Sequence, residues 1–322
     1  MDRNLALEVV RVTEAAALAS ARWMGRGDEV EADAAAAHAM GQLFPDIDFH
    51  GQIVIGEGDR DSVALLYEGE GLGTGRGPEI EVALDALEGT TSCATGAPNA
   101  ISVIAIAEHG GFLRCPPHVY MDKLAVGPHG KGVVDLDKSL AENLSALAAA
   151  KGVPVETLVV VLLDRPRHEK LINELRQIGV RIKLISDGDL AAALATTREK
   201  SGVDLLVGTG GAAQGIITAA AMRCLGGEIQ ARFRPRNQDE VNRLRKLGIT
   251  DLQKKYYAAE MARGNVVFAA TGVTTGDYLR GVRFFHGGAV TNSVVMRSKT
   301  ATVRFLETFH HFEHYPEYEH DG

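Results

Sequence analysis

Between Leu140 and Cys224 the sequence alternates helical and strand patterns, and this restricts the chain to layered α/β folds. Helix-period segments at 140–151, 168–178, 188–197 and 213–224 are separated by apolar, β-branched runs at Leu158–Leu163, Val180–Ile185 and Val203–Val207. Strands that feed helices and return to one sheet make βαβ units, so a mostly parallel sheet is expected. Before this region, helices are expected at 5–24 and 29–43, and strand-like pieces at Gln52–Ile55, 61–67, 79–84 and Ala100–Ala107. After it come a charged helix at 236–248 and strands near 265–271, 281–286, 289–297 and 300–307, with Gly287-Gly288 as a turn. The His- and Glu-rich tail from His310 to Gly322 reads as a frayed, solvated terminus.

Composition narrows the function. The chain has 322 residues, room for one large or two ordinary domains, and its 45% hydrophobic and 24% charged residues are those of a soluble globular protein. A net charge of −8 argues against nucleic-acid and anionic-membrane partners. It does not exclude phosphate substrates, because bound metal concentrates positive charge locally. The three cysteines, Cys93, Cys115 and Cys224, are widely spaced and odd in number, which favours a reducing compartment over a disulfide framework. Neither a membrane-spanning apolar run nor a signal-peptide pattern is read, so a cytoplasmic protein is expected.

The most chemically loaded stretch is Asp85-Ala86-Leu87-Glu88-Gly89-Thr90-Thr91, which follows the strand-like segment Ile80–Leu84. It places two carboxylates, a glycine and two hydroxyls at a strand end. Mg²⁺ and similar hard cations take oxygen ligands, usually one or two carboxylates plus substrate phosphate oxygens. A Gly-Thr turn lets backbone N–H groups approach a phosphate closely. Helix or turn capping would explain the two acids equally well if the motif stood alone. Further acids occur at Glu57, in Gly56-Glu57-Gly58 after another strand, and at Asp33, on an alanine-rich helix. Arg165-Pro166-Arg167-His168 follows a strand and suits a phosphate through forked guanidinium donors, although a solvated basic turn is the simpler reading of it in isolation. Asp187-Gly188-Asp189 follows the next strand; it could hold sugar hydroxyls, order the arginines or cap a helix. Gly208-Thr209-Gly210-Gly211 follows a third strand and precedes Gln214. Successive strands therefore end in polar or glycine-rich turns, where open α/β sheets bind ligands.

These segments are collinear with a known family. Asp85–Thr90 resembles the pattern of the metal-dependent, lithium-sensitive sugar phosphatases. With Ile53–Asp61 (IVIGEGDRD), Tyr67–Leu72 (YEGEGL), Tyr120–Leu124 (YMDKL), Asp164–His168 (DRPRH), Leu184–Asp189 (LISDGD) and Gly281–Gly288 (GVRFFHGG), the chain resembles the class II, GlpX-like fructose-1,6-bisphosphatases over nearly its whole length. It looks closest to the cyanobacterial branch, which also hydrolyses sedoheptulose-1,7-bisphosphate. The resemblance implies a layered α/β/α/β/α sandwich, with residues 1–150 as a metal-binding, catalytic half and residues 151–322 as a sugar-phosphate-binding half. It implies Mg²⁺ or Mn²⁺ held by Asp33, Glu57, Asp85 and Glu88, with Gln214 at a fifth ligand position. Glu88, Gly89 and Thr90 match residues around the scissile 1-phosphate. Thr90, which orients or deprotonates the attacking water, forms the catalytic set with Glu57 and Asp85. Tyr120, Arg165, Pro166, Arg167, Asp187, Gly188, Asp189 and Gly211 match contacts to the sugar and its distal phosphate. A homotetramer or homodimer, AMP as an effector, and a place in gluconeogenesis or the Calvin cycle are also implied.

The chain departs from the family pattern at Gln214, where the family has Glu, and at Glu29, Gly41, Ala86 and Ala213, where it has Lys, Arg, Pro and Pro. Two expectations follow. One is an active sugar-bisphosphate 1-phosphatase. The other is a weakly active or inactive paralogue that binds sugar phosphate or nucleotide in a regulatory role.

Overall fold

The computed structural model describes residues 5–61 and 63–312. Among these, the strands are β1 (His50–Ile55), β2 (Gly71–Leu72), β3 (Glu79–Glu88), β4 (Ile101–Ala107), β5 (Tyr120–Val126), β6 (Val159–Leu163), β7 (Arg181–Ile185), β8 (Leu205–Gly211), β9 (Glu228–Arg234), β10 (Tyr256–Tyr257), β11 (Val266–Gly272), β12 (Arg283–Phe285), β13 (Gly288–Arg297) and β14 (Thr302–His311). The helices are α1 (Leu5–Ala21), α2 (Glu29–Leu43), α3 (Thr90–Thr95), α4 (Leu140–Lys151), α5 (Glu169–Ile178), α6 (Asp189–Ala195), α7 (Ala212–Leu225), α8 (Gln238–Lys246) and α9 (Ala258–Met261).

Two sheets form. The first runs β12-β13-β11-β4-β3-β1-β2, with β14 beside β13; the second runs β10-β9-β5-β8-β6-β7. Helices α1 and α2 cover one face of the first sheet, α7 touches both sheets, and α4 and α5 close the far face of the second. The order is therefore α/β/α/β/α, as the resemblance implies. Its middle layer is made of small residues: α6 buries four alanines and α7 buries Gly215, Ala219, Ala220 and Ala221, which lets the two sheets approach a thin helical layer. β4 is buried at all seven positions because helices and strands cover both its faces.

The expected parallel sheet is corrected. Only β1–β3, β6–β7 and β6–β8 pair in parallel among the described strands. The α7 crossover does leave β8 and β9 running the same way, but β5 inserts between them in the opposite sense and converts one parallel contact into two antiparallel ones. β5 escaped the sequence reading because Asp122 and Lys123 interrupt its apolar run. Lys123 is nevertheless only 3% exposed.

The strand expected at 61–67 is absent among the described residues; Tyr67 makes an isolated bridge to Gly58, and the strand is Gly71–Leu72. Leu66 there is a single buried anchor at φ +60°, and its carbonyl accepts the Glu57 N–H at 3.0 Å, which fits a folded-back loop. His310 is not frayed: it lies in β14, is buried and bonds Thr291 Oγ1 at 2.9 Å. Residues 313–322 of the expected tail lie outside the described residues.

Candidate active site

The ends of β1, β3, β6, β7 and β8 and the start of β5 surround one cavity of about 640 Å³. It gathers Asp33, Glu57, Asp85, Glu88, Gly89, Thr90, Tyr120, Arg165, Arg167, Asp187, Asp189, Gly211 and Gln214. Pro166 and Gly188 do not line it: Pro166 opens the 3-10 turn Pro166–His168, and Gly188 is the N-cap residue of α6 at φ +83°.

The acids come from local irregularities. Asp28 caps α2 by accepting the Glu31 N–H at 3.1 Å, which fixes the turn that bears Asp33. Register shifts occur between Ile53 and Ile55 in β1 and between Asp85 and Glu88 in β3. Asp85 and Glu88 thus lie inside a strand that continues to Glu88, where the sequence had placed its end at Leu84. Such bulges re-aim side chains at sites. Gly89 then turns with φ +90° into α3, close enough to Ala100 that a Cβ would meet its Cα at 3.2 Å. The Thr91 N–H donates to Asp187 Oδ2 at 3.2 Å, tying this turn to the turn after β7. Asp187 therefore orders the Gly-Thr turn and does not act as the side-chain cap of α6.

Burial and mutual repulsion hold these carboxyls above their ordinary range. Burial, then Asp85 and Asp33, push Glu57 well up. Burial pushes Asp85 to about 7. Burial, then Asp189, Asp187 and Asp85, raise Glu88. Burial also raises Asp33 and Asp187. Among the described residues none of Asp33, Glu57, Asp85 and Glu88 forms an ion pair. Glu88 Oε2 is buried with no hydrogen-bond partner, an atom that asks for a ligand. The set fits hard divalent cations, which take carboxylate oxygens and supply the missing positive charge. Among the described residues no three acidic, His or Cys side chains have already converged at metal-ligand geometry.

Two neutral donors soften the cluster. The Ala86 N–H donates to Glu57 Oε1 at 2.7 Å, a bond that proline could not make. Gln214 Nε2 donates to Asp85 Oδ2 at 2.9 Å. The Gln214 amide oxygen lies against Gly211, where a Cβ would sit 2.0 Å from it. For that oxygen to coordinate a metal beside Asp85, the amide must turn.

The opposite end of the cavity is cationic. Arg167 Nε donates to the Thr209 carbonyl at 3.0 Å, and its guanidinium lies 5.1 Å from the Tyr120 ring centre. His168 locks this end: its Nε2 accepts the Thr209 N–H at 2.8 Å, so Nδ1 carries the proton donated to the Leu163 carbonyl at 2.8 Å. Beneath the site, buried Lys123 pairs with Asp189 at 2.7 Å.

Residues 3–310 match a family profile described as bacterial fructose-1,6-bisphosphatase, glpX-encoded. The chain belongs to this family. It is 44% identical to the D-fructose 1,6-bisphosphatase class 2/sedoheptulose 1,7-bisphosphatase of Synechococcus elongatus, over 97% of this chain and 98% of that relative. It is 43% identical to the protein of the same description from Thermosynechococcus vestitus, over 97% of each chain.

In this class II bisphosphatase family member, the sequence reading missed Arg236 and His118 in the cavity lining and Lys123 beneath it. For Arg236 a signal existed. Arg234-Pro235-Arg236 repeats the Arg-Pro-Arg of 165–167, again at a strand end leading into a helix.

Proposed function

We propose that this chain removes the 1-phosphate of fructose-1,6-bisphosphate, and of sedoheptulose-1,7-bisphosphate, with Mg²⁺ or Mn²⁺ held by Asp33, Glu57, Asp85 and Glu88. The observation that carries this reading is the polarity of the cavity: acids crowd one end, and at the other the Arg167 guanidinium lies over the Tyr120 ring. A bisphosphate complements both ends once cations occupy the first.

Bound at the acids, such cations would neutralise phosphoryl oxygens and lower the pKa of an attacking water. The remaining roles belong to the chain. The Gly89–Thr90 turn presents backbone N–H groups and a hydroxyl to the scissile phosphate, and Thr90 Oγ1 orients the water. Asp187 keeps that turn in place through Thr91. Asp189, anchored by Lys123, faces the sugar hydroxyls. Arg165 and Arg167 take the distal phosphate through forked donors. Gly211 leaves room for the sugar beside Gln214. On this reading residues 1–150 supply the metal ligands and residues 151–322 the distal-phosphate contacts, with Tyr120 and Gln214 each serving the other half. The match to named bisphosphatases favours the catalytic reading over a regulatory paralogue, which gains no support from them.

The test is phosphate release from both bisphosphates with Mg²⁺ or Mn²⁺, for the native chain and Gln214→Glu. Turnover by the native chain is expected. Turnover by the Glu variant alone would replace the catalytic reading with the binding one.

A further inference from the structure

Arg236 lines the cavity but has no part in the reading above. It sits between β9 and α8, where Asn237 caps the helix by accepting the Glu240 N–H at 2.9 Å. Its main-chain N–H donates to Glu240 Oε2 at 2.8 Å. Its Nε and Nη2 donate to Glu240 Oε1 at 2.9 and 2.6 Å, and Nη2 also reaches the His118 carbonyl at 2.9 Å. Glu240 is 1% exposed, whereas Arg236 is 49% exposed. The guanidinium is therefore clamped from beneath and open above. Among the described residues, its Nη1 meets no hydrogen-bond acceptor.

The guanidinium lies 4.5 Å from the centre of the Tyr120 ring that Arg167 approaches at 5.1 Å. Two cations sharing one aromatic ring repel each other, and Glu240 offsets only one of them. A dianion placed between the two would relieve that cost and meet donors whose conformational entropy is already spent. A purely structural Arg–Glu pair needs neither the ring nor the opening onto the cavity.

We propose that Arg236 is a substrate-binding residue which, with Arg167 and Tyr120, clamps the distal phosphate and sets the preference for bisphosphates over monophosphates. The proposal rests on the phosphatase reading above and adds to it the residue that measures the far end of the sugar.

The experiment compares fructose-1,6-bisphosphate with fructose 1-phosphate, which lacks the distal group. Three variants are used: Arg236→Met, Arg236→Lys, and the double variant Arg236→Met with Glu240→Gln, which avoids stranding a buried carboxylate. Arg236→Met should lower kcat/KM on the bisphosphate about tenfold to a hundredfold, through KM, as expected for one lost charged hydrogen-bond donor. Values for fructose 1-phosphate should stay unchanged, the double variant should behave alike, and lysine should restore part of the loss. Equal losses on both substrates, or no loss on the bisphosphate, would overturn the clamp. If the native protein hydrolyses neither, the phosphatase reading fails by itself. Calorimetric titration with the same two compounds then decides the clamp by the same comparison.

Discussion

Single residues decide how the carboxylate cluster is kept together. Gln214 gives Asp85 a hydrogen-bond donor where glutamate would add a fifth acid to the cluster. Replacing Gln214 by Glu should therefore tighten Mn²⁺ binding and lower the melting temperature of the metal-free protein, two changes of opposite sign. Calorimetric titration and a thermal melt in chelator check them, and a variant that gained stability without metal would contradict the account. Lys123 makes the converse point. It is 3% exposed and its partner Asp189 12% exposed, so Lys123→Met strands a buried carboxylate beside Glu88. A loss of about 3–5 kcal/mol in a urea titration is expected from breaking a buried pair on one side. Asp189→Asn combined with Lys123→Met should recover much of it.

At the scale of elements, the site depends on strand ends held in register by short bonds. His168 joins the turn after β6 to β8 and so positions Arg165 and Arg167 relative to Gly210 and Gly211. Burial, with Arg167 nearby, holds its imidazole below the ordinary 6.5 even though the Leu163 carbonyl favours the proton. A histidine with a depressed folded pKa contributes stability that is present above its unfolded value and lost as pH falls through the folded one. KM for the bisphosphate should thus rise only once pH has fallen past the ordinary histidine value and through the depressed folded one, because protonated Nε2 can no longer accept the Thr209 N–H. His168→Gln should cost about 1–3 kcal/mol and flatten that dependence. A profile identical to the native one would remove His168 from the explanation.

At the scale of the molecule, a layered core carries a strained polar centre. In the metal-free protein the raised carboxyls bind more protons folded than unfolded. Stability from such groups is complete below their unfolded pKa and is lost as pH rises through the folded value, which for Asp85 is about 7. The metal-free melting temperature should therefore fall between pH 4 and pH 8. Saturating Mg²⁺ or Mn²⁺ should raise it most at the alkaline end, since ligands that bind only the folded state add stability by mass action. Differential scanning calorimetry across that range tests this. A metal-free protein that grew more stable with rising pH would contradict it.

Local pattern was enough for most helices, for β4, β6 and β7, and for the Gly56–Gly58 and arginine-bearing turns, because periodicity, β-branching and turn chemistry act over a few residues. It also carried the family resemblance, since those turns are collinear. What needed the tertiary structure was anything that depends on neighbours far along the chain. Sheet direction was one such property: β5 enters between β8 and β9, and nothing within Tyr120–Val126 reveals its partners. The orientation of the Gln214 amide was another, because it follows from Asp85 lying 129 positions away. Arg236 was a third, because its bonds to Glu240 are local but the ring that makes them useful belongs to Tyr120. A short segment encodes its own conformation, whereas electrostatic partners are fixed only when the strand ends meet.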